Sequence, residues 1–350
     1  MIEIVKPDMH IDFLRARRMC AIGSITLLLI GLAAIPLRGF RTGIDFAGGT
    51  ELQLRFTGDG QVDEGSIRGV LEGLDIQGAA VIRYGSGDVR EFLVKLPGRL
   101  VLPEQSGEGT VALEAVSLED SAAPGDEETE AAEEVAANGE GSTSPAERVA
   151  FLRKLEAGLI AELGAMEIAR IEFVGPKVGA ELRRDGILAL SIACLMILVY
   201  IGFRFSLRFA PGAVVALIHD VAITSGIWVI LGLEFDLRVL AALLAIIGYS
   251  LNDTIIVYDR IRENLELRTK QNFEEVLNLS VNQTLSRTLL TSLTTLLAVL
   301  ALLFLGGPVI QPFALAMAIG IVIGTYSSVY VAAPTLLWLE QRLGGAPAKA

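Results

Sequence analysis

Residues 239–258 read VLAALLAIIGYSLNDTIIVY, a run that is apolar enough and long enough to cross a bilayer. The run contains one carboxylate, Asp253. A charged side chain costs ~2.5–3.5 kcal/mol at the centre of a membrane helix, and less toward the helix ends. A helix that keeps such a group usually pairs it, hydrates it or uses it to carry protons. The run therefore predicts a membrane helix with Asp253 as its candidate functional residue.

Other apolar runs of spanning length lie on both sides of this one, and 52% of the whole chain is hydrophobic. The first run resembles a signal peptide in position, but its end, Ile35–Arg38, is a poor small-residue cleavage site. We therefore expect a retained helix and an α-helical polytopic membrane protein with six transmembrane helices. The predicted spans are residues 19–37, 186–203, 211–233, 239–258, 287–305 and 312–339.

Basic residues predict the orientation of the spans. They are concentrated before the first span, between the second and third, and between the fourth and fifth, whereas Arg238 is the only basic residue in the short loops on the other side. By the positive-inside rule, the N-terminus and the C-terminus are both cytoplasmic. The predicted cytoplasmic segments are an N-terminus at 1–18, a loop at 259–286 and a tail at 340–350, and the predicted external domain is 38–185.

The external domain shows alternating strand and helix patterns. Period-two alternation is clearest in Glu51–Phe56, and Ser144–Glu147 has the form of a helix capping box. The order β-α-β-β-α-β predicts a ferredoxin-like α+β domain. The strand patterns lie within 42–56, 79–84, 89–96 and 167–174, and the helical patterns lie within 62–74 and 145–163.

The net charge of −12 comes mainly from one stretch of the external domain, residues 101–145. This stretch holds twelve acidic residues and no Lys or Arg, while the rest of the chain has 29 basic and 29 acidic residues. Its composition buries too little apolar surface to offset the entropy of ordering, so we predict a disordered insertion. A binding tail is the alternative. Nothing in the charge pattern indicates a nucleic-acid partner.

Several classes of chemistry lack their residues in this sequence. There is no phosphate-binding G-x-x-x-x-G-K-[ST] loop and no nucleophile elbow. Cys20 and Cys194 both lie in predicted spans, and the two histidines, His10 and His219, are too few and too scattered for a metal site. We therefore expect no enzymatic activity, no cofactor and no metal. His219 is expected to be buried and hydrogen-bonded, facing away from its neighbour Asp220.

The polar residues inside the predicted spans suggest one pairing. Asp253, with Asn252 beside it, lies near the inner end of the fourth span, and Arg287 begins the fifth. Adjacent antiparallel helices would place these two charges at similar depth, with Thr291, Thr294 and Thr295 following Arg287 along its helix. Two simpler interpretations stay open. In the first, Arg287 only anchors its helix by reaching the lipid headgroups. In the second, Asp253 only packs helices together through hydrogen bonds.

Two further features of the predicted spans concern helix packing. Asp220, with Thr224 one turn later, is a second carboxylate within a span, and it is a candidate for a helix–helix contact or a secondary proton relay. Gly320 and Gly324 form a small-xxx-small pair in the sixth span, which predicts a close packing face.

A short motif follows the first span and reads Asp45-Phe46-Ala47-Gly48-Gly49-Thr50. Paired glycines permit positive φ angles or a backbone approach that a side chain would block. From spacing alone, a bulge or tight turn is the preferred interpretation.

Taken together, four elements resemble those of a known family. They are GIDFAGGT at 43–50, GYSLNDT at 248–254, YDRIREN at 258–264 and SRT at 286–288. In this order, and with one span, an external domain and five spans, the chain resembles the SecF family of bacterial SecD–SecF protein-export complexes over nearly its whole length. The acidic stretch 101–145 departs from the compact external domain of that family.

The resemblance implies a membrane fold of the resistance-nodulation-division type in the cell inner membrane. It implies SecD, the SecY–SecE–SecG channel, exported preproteins and the lipid bilayer as partners, and use of the proton gradient to help polypeptides leave the channel. In the family, the acid of the Asn-Asp-Thr element and the arginine that opens the fifth span are tied to proton passage. These positions are Asp253 and Arg287 here.

Two other functions compete with protein export. One is a proton-coupled component of small-molecule efflux, which predicts a roomy pocket lined by aromatic residues in the external domain. The other is a passive membrane scaffold, which predicts that neutral replacements of Asp253 and Arg287 have no effect.

Overall fold

The computed structural model describes residues 11–57, 62–74, 76, 78–84, 90–97, 145–204, 209–268, 271–307 and 309–343. The predicted acidic insertion 101–145 lies outside these residues except for its last position, and so do His10, the turn at 85–88 and much of both predicted tails. The chain divides into two compact units. One comprises Met1–Gly48 and Pro176–Ala350, and the other is Gly49–Gly175.

The first unit is helical. In the described part of the chain, six helices are long and apolar enough to cross a membrane, which confirms the predicted class. These spans are α1 (Arg17–Arg38), α5 (Pro176–Arg204), α6 (Ala210–Leu231), α7 (Leu237–Leu267), α8 (Phe273–Leu305) and a sixth built from α9 (Gln311–Ser327), a π-helical turn (Ser328–Ala332) and α10 (Ala333–Leu343). One helical turn, α2 (Ile44–Ala47), follows the first span.

The segment 259–286, predicted as a loop, is instead mostly helix. The fourth span continues to Leu267 and the fifth begins at Phe273, so the connection is only a short turn. The helices persist because Ile261 and Leu277 are fully buried between them, as on the apolar faces of paired amphipathic helices. Asn264 Nδ2 also donates to Ser280 Oγ at 2.9 Å across the pair. The hydrophobic run therefore ends earlier than the helix that contains it.

The sixth span is interrupted by the π-helical turn Ser328–Ala332, shortly before Pro334. Proline has no backbone N–H, and its ring clashes with the carbonyl four residues earlier, here that of Tyr330, so a regular α-helix cannot continue through it. Tyr258 of the fourth span donates its hydroxyl to the carbonyl of Ala332 at 3.0 Å. The break in the sixth span is thus attached to the fourth.

The predicted packing face at Gly320 and Gly324 is confirmed. A Cβ placed on Gly320 would overlap the side chain of Ile246, and one on Gly324 would lie 3.0 Å from Cβ of Ser250. The fourth and sixth spans therefore approach each other closely along this face, because glycine leaves room for the neighbouring helix.

The second unit is a four-stranded sheet with two helices. Its strands are β1 (Gly49–Phe56), β2 (Ala80–Tyr84), β3 (Arg90–Pro97) and β4 (Met166–Val174), and its helices are α3 (Glu64–Gly73) and α4 (Pro145–Leu163). The sheet is antiparallel with the order β2-β3-β1-β4, which is the predicted ferredoxin-like arrangement. Leu52, Leu54 and Phe56 alternate onto the buried face, where they join Ile67, Leu71 and Leu159 of the helices.

Candidate functional site

Asp253 lies in the middle of the helical bundle and is only 1% exposed. Ser292 of the fifth span donates its hydroxyl to Asp253 Oδ2 at 3.3 Å, which is a long hydrogen bond. Thr325 of the sixth span donates in turn to Ser292 Oγ at 2.8 Å. The carboxylate is therefore enclosed by three spans and has a single weak side-chain donor among the described residues.

Arg287 does not make the direct pair with Asp253 that its position suggested. No hydrogen bond or ion pair joins the two among the described residues, although the guanidinium acts on the carboxylate electrostatically. Arg287 is exposed on the surface of the chain, and so is Asn252. Helical rotation explains both positions, since Asn252 is turned about 100° from Asp253 and so points outward.

The threonines that follow Arg287 do not face Asp253. Thr291, Thr294 and Thr295 return their hydroxyls to carbonyls three or four residues earlier in their own helix. The side chain that reaches Asp253 is Ser292, which the sequence reasoning missed. The sequence contains only a weak indication of Ser292, because the spacing of serine and threonine along one helix does not show which face meets the next helix.

Asp220 forms the second buried carboxylate site and is also 1% exposed. Its Oδ2 accepts hydrogen bonds from Ser250 of the fourth span and from Ser327 of the sixth, the latter at 2.7 Å. Asp220 therefore makes a contact among three spans. The hydroxyl of Thr224, one turn away, is buried and has no hydrogen-bond partner among the residues that the structure describes.

His219 lies against Asp220 rather than facing away from it, so that expectation was wrong. Its Nδ1 is 2.9 Å from Asp220 Oδ1, because the ring nitrogen nearest the backbone reaches sideways to the short neighbouring side chain. The expectation of a buried, hydrogen-bonded histidine is confirmed. The other ring nitrogen, Nε2, is 3.1 Å from Ser24 Oγ in the first span.

The hydrogen bonds continue from Ser24 to the sixth span. Ser24 Oγ lies 3.1 Å from Tyr326 Oη, and the Tyr326 hydroxyl donates to the carbonyl of Cys20 at 2.9 Å. A continuous chain of polar contacts thus runs from Asp220 through His219 and Ser24 to Tyr326.

A cavity of about 390 Å³ lies between the fifth and sixth spans and brings the two polar clusters near one space. Most of its lining is apolar. Ser292, which contacts Asp253, and Tyr326, which ends the chain from Asp220, both line it.

The motif at 45–50 is a sharply turned segment held against the membrane helices. Gly48 and Gly49 have φ angles of 74° and 149°, which explains the requirement for glycine at both positions. A Cβ on Gly179 of the second span would lie 2.9 Å from the backbone nitrogen of Gly48, so the two backbones are in close contact. Asp45 Oδ2 accepts a hydrogen bond at 3.0 Å from the backbone N–H of Leu237, the first residue of the fourth span.

Within the motif, Gly48 ends one compact unit and Gly49 begins the other. Thr50 belongs to β1, where it pairs with Leu96 and Phe173. The interpretation as a tight turn therefore agrees with the backbone, and the carboxylate before the turn holds the start of the fourth span. Phe46 packs near Gly186 of the second span, 3.8 Å from where a Cβ there would lie.

Comparison with known families agrees with the motifs. The profile described as "Protein export membrane protein SecD/SecF, C-terminal" matches residues 157–342, and the profile described as "SecD/SecF GG Motif" matches residues 33–59. The chain belongs to the SecF family. The GG-motif match contains Asp45–Thr50, and the C-terminal match contains Asp220, Asp253 and Arg287.

Individual relatives cover nearly the whole chain. The SecF protein translocase subunit of Desulfurispirillum indicum is 39% identical over 95% of this chain and 93% of its own length. The SecDF subunit of Thermus thermophilus is also 39% identical over 93% of this chain, but the match spans 38% of that longer protein. The crystal structure of Thermus SecDF, described as a translocon-associated membrane protein, superimposes with a TM-score of 0.74 at 36% identity, covering 96% of this chain and 39% of that one. This SecF-family chain is therefore a protein translocase subunit.

Proposed function

We propose that this SecF-family chain acts with SecD in the bacterial inner membrane, with both of its termini in the cytoplasm. There it uses the proton motive force to help preproteins pass through the SecY–SecE–SecG channel and leave it on the outer side. Support for SecD as the partner comes from the Thermus SecDF chain, of which this chain matches 38%.

The observation that carries the proposal is the environment of Asp253. The side chain is 1% exposed, with one hydrogen bond of 3.3 Å and an arginine that acts on it electrostatically without touching it. Asp220, by contrast, accepts a short hydrogen bond from Ser327 at 2.7 Å, so its charge is better satisfied than that of Asp253. Asp253 is instead poorly satisfied when charged, so protonation there is coupled to a change in helix packing.

In the proposed cycle, a proton from the outer side neutralises Asp253 and removes its attraction to Arg287. Loss of the proton to the cytoplasm restores the charge, and the fifth span moves to bring the two groups together. The membrane potential supplies ~2.3 kcal/mol per charge per 100 mV, which is enough to bias an equilibrium between two helix arrangements.

The GG motif offers a route from the fourth span to the external unit. Asp45 holds the first residue of that span, and the chain passes from one compact unit to the other three residues later. A shift of the fourth span would therefore pull on the start of β1. Asp45 would act as a positioning residue that transmits movement, rather than as a proton carrier.

Export into inverted membrane vesicles tests the proposal. With SecD present, Asp253→Asn should abolish the stimulation of export by a proton gradient while the complex still assembles. Asp259→Asn is the matched control, because Asp259 lies on the same helix and forms an ion pair with Arg204 in which both side chains are 42% exposed. The control should keep the stimulation. Full stimulation in the Asp253→Asn vesicles would defeat the proposal and favour a passive scaffold.

A further inference from the structure

The contacts around His219 determine where its protons lie. The Tyr326 hydroxyl has one proton and donates it to the carbonyl of Cys20, which can only accept. In the contact between Ser24 and Tyr326, Ser24 must therefore be the donor. The single Ser24 proton is then used, so the contact with His219 requires Nε2–H to donate to Ser24 Oγ.

Counting protons in the same way also locates a proton between Nδ1 of His219 and Asp220. Nδ1 of His219 lies 2.9 Å from Asp220 Oδ1, a distance that requires one proton between the two atoms. The proton belongs either to an imidazolium facing a carboxylate or to a carboxylic acid facing a neutral ring. In both cases the pair is neutral overall and holds one proton more than a neutral histidine beside a charged aspartate.

We propose that the His219–Asp220 pair is a second proton-binding site of this chain, which exchanges its proton with the cavity between the fifth and sixth spans through Ser24 and Tyr326. In this chain of hydrogen bonds, His219 donates to Ser24 and Ser24 donates to Tyr326, which is the direction in which a released proton would move. The Nε2–H bond breaks as Ser24 gains that proton, and Ser24 gives its own proton to Tyr326. In the same concerted step the original O–H bond of Tyr326 breaks, and its proton leaves the Cys20 carbonyl for a water molecule in the cavity, which becomes a hydronium ion.

Release leaves a neutral ring whose Nδ1–H donates to the Asp220 carboxylate. Uptake runs in the opposite direction after the hydroxyl groups rotate. The remaining negative charge is held by Asp220, whose Oδ2 already accepts from Ser250 and Ser327. The site therefore has defined hydrogen bonds in both protonation states, as a site that binds and releases protons requires.

Few other titratable groups lie beside this pair. On the helices packed around it, the described ones are Cys20 in the first span, Tyr326 and Tyr330 in the sixth, and Tyr249 and Asp253 on either side of Ser250 in the fourth. Within the described residues, neither His219 nor Asp220 contacts a lysine or arginine. Besides the hydrogen bonds from Ser250 and Ser327, the proton that the pair holds is thus what compensates its buried negative charge.

The cavity connects this site with the one at Asp253. Ser292 reaches Asp253 from the cavity wall, and Tyr326 reaches His219 through Ser24 from the same wall. One space therefore serves two carboxylates on neighbouring spans. The part that the second site plays in export rests on the proposed proton coupling, whereas its protonation does not.

Nitrogen NMR of the full chain in lipid bilayers, labelled with ¹⁵N-histidine, measures the protonation directly. The chain has only two histidines, so His10→Gln leaves the His219 signals alone. We expect these signals to show Nε2 protonated and to titrate as one proton is lost from the pair when the buffer is made alkaline. Signals of a ring that keeps one protonation state from acid to alkaline buffer, or of one that never carries a proton on Nε2, would overturn the proposal.

The route is tested by two tyrosine variants of similar size. Tyr326→Phe removes the hydroxyl that links Ser24 to the cavity, whereas Tyr330→Phe removes a hydroxyl from the same cavity wall outside the chain of contacts. We expect the first to abolish fast proton exchange at His219 and the second to leave it unchanged. Equal exchange in the two variants would overturn the route. Because neither measurement involves export, a silent Asp253→Asn variant would defeat the proposed function without affecting this result.

Discussion

Gly320 shows how little space separates the fourth and sixth spans. Gly320 has no side chain, and the side chain of Ile246 of the fourth span fills the space that a Cβ would occupy. Apolar surface gains nothing by leaving lipid for another helix, so packing of this kind supplies much of the attraction between membrane helices. The pair at Gly320 and Gly324 could be predicted from spacing alone, because small residues four apart on a span have few other purposes.

Gly320→Val should therefore destabilise the helical unit. Overpacking typically costs ~1–3 kcal/mol, because side chains are forced from their preferred conformations and helices move apart. The free energy of unfolding in mixed micelles measures the effect. Gly23→Val is the control, since a Cβ on Gly23 of the first span meets nothing within 4 Å. Equal stability of the two variants would contradict the close contact.

The surroundings of the two buried carboxylates were less completely predicted than the packing. Hydropathy was enough to identify Asp253 and Asp220 as buried, because an apolar run fixes the surroundings of any residue within it. Their partners were not predictable, because periodicity fixes the face of one helix and not the rotation of its neighbour. Ser292 is the residue for which this mattered. His219 was misplaced for another reason, since its ring bends back to the next residue of its own helix.

The sixth span contains a π-helical turn that its hydropathy did not indicate. Its π-helical turn lies between the hydroxyl-bearing residues Thr325–Ser327 and Pro334. Proline inside an apolar run indicates a kink, but the sequence does not show what satisfies the freed backbone groups. Here Tyr258 of the fourth span donates to the carbonyl of Ala332, the last residue of the turn.

Tyr258→Phe should weaken the attachment of the fourth span to this turn. The tyrosine is fully buried, and the variant loses its hydrogen bond to the Ala332 carbonyl, which contributes ~0.5–1.5 kcal/mol. We expect a lower free energy of unfolding in mixed micelles. Tyr200→Phe is the matched control, because Tyr200 of the second span is half exposed. A variant as stable as the control would show that the hydrogen bond does not hold the turn.

The helix α3 begins with a titratable cap. The side chain and backbone of Ser66 donate to the Asp63 carboxylate, which lowers the pKa of Asp63 below its usual value of 3.8. Because the pKa is lower in the folded chain, the stabilisation is complete above pH 3.8 and is lost as the pH falls through the lowered value. Asp63→Ser keeps a capping oxygen that does not titrate.

Melting of the second unit, Gly49–Gly175, followed by circular dichroism at neutral pH and well below pH 3.8 measures this effect. We expect the natural sequence to lose more thermal stability than Asp63→Ser between the two conditions. An equal loss in both would assign the acid sensitivity to other carboxylates.

At the scale of the whole molecule, the two units differ in how far sequence alone described them. The ferredoxin-like order of the external unit followed from alternation and helical spacing, since each element there keeps one period along its length. The membrane helices were found from hydropathy, but the start of the second at Pro176, the end of the fourth at Leu267 and the start of the fifth at Phe273 were not. Charged residues such as Arg260 and Glu263 continue the fourth and fifth helices beyond the apolar run by pairing along and between them.

The proposed function of the whole molecule requires a proton to cross the membrane by way of Asp253. Reconstitution of the chain with SecD into liposomes that contain a pH-sensitive dye measures this flux under an imposed potential. The account predicts that Asp253→Asn abolishes the flux that depends on the protein, and that Asp259→Asn leaves it unchanged. A flux through the Asp253→Asn complex equal to that of the natural complex would contradict the account.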